Sequence, residues 1–181
     1  MLGSGYAIGV LGVIATARAQ GDEVQVRRAT RMALWLSAAH AALVAPLLIW
    51  SGPILVALGQ EPQIAALAQD WTRVMAWAMP ATLGGMALNS FLAALGRANM
   101  VLWVTLAGLP VNAGLNWVLI FGHLGAPELG VTGAALASLA VTWLQLAALA
   151  WLSARLPEAR VFHLFQRFWR PDPAAARALF G

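Results

Sequence analysis

An all-α polytopic membrane protein, a helical bundle with lipid for much of its solvent, is the fold class this sequence predicts. Three observations carry that reading. Hydrophobic residues make up 61% of the 181 and charged residues 10%, and mean hydropathy is +0.74, well to the apolar side of a soluble domain. Uncharged windows run over 32–60, 74–96, 98–127 and 129–154, and each exceeds the roughly 20 residues a helix needs to cross a bilayer. The windows are apolar on nearly every side, whereas a soluble core helix keeps a polar stripe at helical period.

Taken in order, the first element covers about 1–20. It is apolar from Leu2 to Ala17 but short, and no basic residue precedes it, so it lacks the charged lead of a secretory signal. It reads as the second half of a helix, which predicts that the chain begins partway through a span. Full spans follow at about 32–58, 74–96, 100–122 and 130–154. Turn residues mark their limits: "SGP" at 51–53 and "GQEP" at 59–62 close the second, and "GAPELG" at 125–130 joins the last two. Residues 1–154 are thus read as one transmembrane unit.

After Ala154 the stretch 155–181 is basic, with Val161, Leu164, Phe165 and Phe168 at helical spacing. It reads either as a helix lying in the membrane surface or as a plain basic linker.

All eleven basic residues are arginines, and positive charge stays on the cytoplasmic side of bacterial-type membranes. Arg18, Arg27, Arg28 and Arg31 flank the first loop, Arg97 sits in the third, and Arg155, Arg160, Arg167, Arg170 and Arg177 follow the last span. Those three loops alternate onto one face. Only Arg73 falls on the other, beside Glu61 and Asp70. The sequence therefore predicts a multi-pass inner-membrane protein with its arginine-rich loops in the cytoplasm.

A side-chain amide in hydrocarbon without a partner costs several kcal/mol, so each one kept in a span must bond another group or face a wet cavity. Asn112 and Asn116, four apart, share one helix face. They either fasten neighbouring helices, at about 0.6–2 kcal/mol per bond, or line a binding or ion chamber. Ser138, Thr142 and Gln145 share a face of the last span, where Gly133 and Ala137 also give a small surface for close packing. Asn89 lies late in the span at 74–96, which Pro80 should kink, as Pro46 and Pro110 should kink theirs. The candidate cavity set is Asn112, Asn116, Asn89, Thr142, Ser138 and Gln145. His40, alone in its span, reads as a neutral, hydrogen-bonded group.

Several chemistries are excluded. The chain has no cysteine, hence no disulfide framework, thiolate metal site or cysteine nucleophile. Asp22, Glu23, Glu61, Asp70, Glu128, Glu158 and Asp172 all fall in predicted loops or boundaries, so no carboxylate stands at membrane depth. There is no phosphate loop, HExxH pair or nucleophile elbow. No catalytic residue, metal site, cofactor or nucleic-acid surface is expected; the expected partner is the bilayer.

The segments "ATARAQGDEVQVRRATRMALWLS", "LVALGQEPQIAALAQDW", "LNSFLAALGRANM" and "VNAGLNWVLIFGHLGAPELGVTGAALAS", with their spacing, resemble the multidrug and toxic compound extrusion (MATE) family and, within it, the bacterial NorM-like branch. The resemblance implies two six-helix lobes around a central cavity, with residues 1–154 matching the second half of span two through span six of the first lobe. It implies a proton- or sodium-coupled antiporter for amphipathic, often cationic, drug-like compounds, working by alternating access and not an enzyme. The family's first-lobe cation site pairs an aspartate on span one with polar residues on span five, and that pair falls on Asn112 and Asn116. Some members carry aspartate at the position of Asn116. Span one and the second lobe have no counterpart in these residues, which predicts a fragment inactive by itself.

Two other readings remain. A lipid-linked oligosaccharide flippase of a related branch would need a cationic cavity for pyrophosphate, and no arginine lies inside a predicted span. An inactive membrane-inserted remnant is the other.

Overall fold

A computed structural model describes residues 12–157, and all its regular structure is helical. Helix α1 occupies 12–19. It is followed by α2 (Glu23–Ile49), α3 (Ser51–Ala57), α4 (Pro62–Ala76), α5 (Met79–Ala94), α6 (Ala98–Phe121) and α7 (Gly130–Arg155), with a short 3-10 turn at His123–Gly125. Among the described residues no strand occurs, and three helices, α2, α6 and α7, are long and apolar enough to cross a membrane. The expected surface segment lies outside the described residues from 158 onward, as do residues 1–11 of the first predicted span.

The start of α2 follows capping chemistry more than hydropathy. The Asp22 carboxylate accepts the Gln25 N–H at 2.9 Å and Glu23 stands in the first turn, so α2 begins nine residues before its apolar stretch. A capped, acidic N-terminus is worth about 1 kcal/mol or more, enough to carry a charged segment into the helix. At its far end α2 stops at Trp50, one turn beyond Pro46.

The segment at 59–73 departs from expectation. It is not a loop: α4 starts with Pro62 in its first turn, where a missing N–H costs nothing, and it carries Asp70 and Arg73 on exposed helical positions. The predicted span at 74–96 is instead divided at Trp77 and Ala78 between α4 and the 16-residue α5. Pro80 explains the division. It cannot donate to the carbonyl four residues back and its ring crowds that group, so the proline opens a new helix in place of kinking an old one. The Trp77 carbonyl at this joint receives the Trp143 indole N–H from α7 at 3.1 Å.

α3 folds back along α4, where the Ser51 and Thr72 hydroxyls lie 2.6 Å apart and the Gln69 side-chain oxygen accepts the Gly52 N–H at 2.9 Å. α6 and α7 form an antiparallel hairpin. Gly122 ends α6 at φ +70, and a Cβ there would meet the Glu128 nitrogen at 3.0 Å, so conformation and space both require glycine. Further along, a Cβ on Gly133 would lie 2.4 Å from the Leu119 carbonyl oxygen. The small surface expected at Gly133 and buried Ala137 is where the two backbones meet.

The densest packing lies toward one end of the bundle. Ile14 and Ala17 of α1, Val26 and Ala29 of α2, Phe91 and Leu92 of α5 and Leu149 of α7 form one buried cluster. The Arg18 guanidinium donates to the Ala94 carbonyl at the end of α5, a C-terminal group that a cation suits. Leu95 belongs to the cluster and Leu156 packs on it. The end of α1 with Arg18, the loop with Arg97 and the end of α7 with Arg155 thus share one end.

Candidate functional site

α5, α6 and α7 line an open cavity of about 220 Å³. Thr82, Met86 and Asn89 face it from α5, Thr105 from α6, and Thr142 and Gln145 from α7. On α5 the three positions are spaced i, i+4, i+7, which places them on one face. Sequence reasoning picked Asn89, Thr142 and Gln145 for such a chamber, and the structure brings those three together.

The polar groups here are of two kinds. Each threonine satisfies its own hydroxyl on the carbonyl four residues back: Thr82 on Ala78 at 3.0 Å, Thr105 on Val101 at 3.0 Å and Thr142 on Ser138 at 2.7 Å. Such back-bonding lets a threonine sit in an apolar helix at little cost. An amide has no equivalent escape. The Asn89 side-chain oxygen is buried and accepts from no donor among the described residues. Leaving a buried acceptor so costs about 1–3 kcal/mol, which makes Asn89 the point where the cavity wall is least satisfied.

The other predicted residues are arranged differently. The Asn116 Nδ2 donates to the Asn112 Oδ1 at 2.9 Å within α6, and both side chains are half-buried. They are not among the cavity-lining residues. They follow Thr105 on nearly the same face of α6, about 10 and 16 Å further along its axis. The Asn116 Oδ1 is buried and, like that of Asn89, accepts from no donor among the described residues. Ser138 contributes its backbone carbonyl, which holds the Thr142 hydroxyl. The six residues therefore form a cavity trio, an intrahelical amide pair and one supporting carbonyl, and not a single ring.

Sequence reasoning missed Thr82, Met86 and Thr105. A signal for Thr105 exists, since it stands seven residues before Asn112 and so falls near the same helical face; nothing in the sequence says that α5 turns Thr82 toward it.

Neutral oxygens of this kind can hold a hard cation or orient a carboxylate that does. The volume also sets a limit. It is below the roughly 300–1,000 Å³ of a pocket that swallows a drug-sized molecule, so a large solute would be held here only in part.

A family model described as MatE matches residues 1–118. The probable multidrug resistance protein NorM of Rhizobium meliloti (strain 1021) is 46% identical over 172 residues, covering 95% of this chain and 37% of that protein. The protein of the same description from Agrobacterium fabrum is 34% identical over the same shares of each. That from Pseudomonas syringae pv. tomato is 38% identical, covering 84% of this chain and 34% of its own. The chain spans between a third and two fifths of the length of these relatives. Among solved structures, an inward-facing multidrug resistance MATE family transporter of the MOP superfamily superposes with a TM-score of 0.84, 20% identity, and coverage of 98% of this chain and 40% of that one. At that identity the likeness is one of fold.

Proposed function

Because this chain belongs to the MatE family, we propose that it serves as the first-lobe portion of a multidrug efflux antiporter, driven by protons or sodium and working by alternating access. The observation that carries this reading is the placement of buried, unsatisfied amide oxygens, Asn89 at the cavity and Asn116 further along α6, in helices that are otherwise largely apolar. Buried acceptors without donors are expensive, and a bound cation or a protonated partner is the kind of group that would offset the cost.

In such a cycle the ion must interact differently with the two conformations, since a ligand of equal affinity for both shifts nothing. Asn112 and Asn116 would supply neutral oxygens to the ion or orient a carboxylate from elsewhere in the transporter. The exported compounds would be amphipathic and often cationic, and the partners would be the bilayer and a second lobe. The arginine end that gathers Arg18, Arg97 and Arg155 would face the cytoplasm, as retention of positive charge on that side of the inner membrane requires. No enzymatic step and no cofactor enter this scheme.

The test replaces Asn112 and Asn116 together by leucine in cells expressing the complete reading frame that carries this chain. Drug resistance should fall while insertion into the membrane fraction is unchanged; undiminished resistance would refute the coupling role. Dye efflux under imposed proton or sodium gradients then identifies the driving ion.

A further inference from the structure

A second concavity, an apolar groove of about 210 Å³, lies along the seam between α6 and α7, walled by Val104, Ala107 and Val111 of α6 and by Val141, Leu144 and Ala148 of α7. Its one polar side chain is Gln145, which also lines the polar cavity described above. Val104 and Gln145 are the two residues common to both, so they form the partition between them. What closes the seam at this level is specific. A Cβ on residue 108 would lie 2.3 Å from the Gln145 Nε2, so the carboxamide fills the space that glycine leaves on α6. Two residues on, Pro110 lacks the N–H that would bond the Leu106 carbonyl, which loosens α6 beside the partition.

We propose that Gln145, seated on Gly108, is a movable plug between the groove and the polar cavity, and that the groove holds the apolar tail of an amphipathic solute whose polar head lies in the cavity. The chemistry of the two spaces argues for that occupant. One side offers hydrocarbon alone and the other offers amide and hydroxyl groups, with a single long, flexible side chain between them. Neither volume suits a drug-sized molecule by itself, whereas a solute laid across the partition would use both. Leu144 on the groove wall is exposed, so the groove opens to the outside of the helix pair, where a solute can enter it. Gln145 is then a specificity-determining residue for tail length. The proposal rests on the efflux reading given above.

The experiment uses the complete transporter and two rhodamine esters, methyl and hexyl, that share one cationic head and differ only in the tail. Filling the groove with Ala148→Phe should raise the KM for the hexyl ester by about tenfold, the scale on which apolar pockets discriminate chain length, and leave the methyl ester little changed. Val111→Phe fills the same groove from the other helix and should act alike, which guards against misfolding of either variant. Gln145→Ala, by removing the plug, should lower the KM for the hexyl ester; Gln145→Met, which keeps its shape, should not. An unchanged ratio of hexyl to methyl KM in both groove-filling variants would overturn the proposal while leaving efflux standing. Failure of the unsubstituted transporter to export either ester would overturn the efflux reading and this proposal together.

Discussion

α5 and α6 are both apolar helices, yet they live in different surroundings. Half of the sixteen residues of α5 are buried, among them Phe91 and Leu92 with no exposed surface. Of the twenty-four in α6 only Gly108 is buried, and Leu102, Trp103, Leu106, Leu109 and Trp117 stand exposed along it. Lipid tails are as apolar as leucine, so in a membrane the hydrophobic effect does not sort helices into core and periphery. Close approach sorts them. α5 repeats Ala81, Gly84, Ala87 and Ser90 every third residue, all buried, and this small-residue strip lets α2 and α7 come in against its backbone.

If that contrast is right, truncation should cost stability in α5 and nearly nothing on the outer face of α6. Phe91→Ala removes a fully buried ring and should destabilise the chain by about 3–5 kcal/mol, read as a shift in the midpoint of unfolding in mixed detergent micelles. Equal effects from Phe91→Ala and an α6 surface truncation would break the comparison.

The hairpin between α6 and α7 is the place to sharpen it, because there α6 does have a tight contact. Gly133→Ala drives a methyl toward the Leu119 carbonyl and should cost about 1–3 kcal/mol, as overpacking does, where an alanine on an open helix face would be neutral or favourable. Smaller still is Trp143→Phe. It keeps a ring but deletes the indole donor to Trp77, for a loss of about 1 kcal/mol and faster hydrogen exchange at the joint between α4 and α5. Last, Trp103→Phe at an exposed position should fall within about 0.5 kcal/mol of no effect.

Much of the architecture is legible in the residues because the constraint behind it is strong: a backbone in hydrocarbon must bond to itself, so long apolar runs become helices. The turn "GAPELG" at 125–130 marks the hairpin, whereas the start of α2 at the Asp22 cap lies nine residues ahead of the apolar stretch from which that span is read. The division at Trp77 was harder to see. Hydropathy runs smoothly through it, and Pro80 can either kink a helix or begin one; the bond made at this joint, from the Trp143 indole to the Trp77 carbonyl, comes from more than sixty residues away and leaves no local sign. The site was legible by residue type and not by arrangement. Amides in oil are conspicuous, so Asn89, Gln145 and the Asn112 pair stand out, and Thr142 is found by sharing a face with Gln145, but Thr82 and Thr105, whose hydroxyls bond their own helices, are passed over. Whether an amide bonds its own helix or faces a cavity depends on how each helix is turned about its axis, and two nearly uniform apolar faces leave that rotation unmarked.

The bond from Asn116 to Asn112 also bears on how the chain is made. α6 leaves the ribosome before α7 exists to shield it, and a side-chain amide without a hydrogen-bond partner is costly in an apolar medium. Here one N–H of Asn116 and the oxygen of Asn112 are already paired within their own helix, so part of the polar load of the hairpin's first arm is met before its second arm arrives.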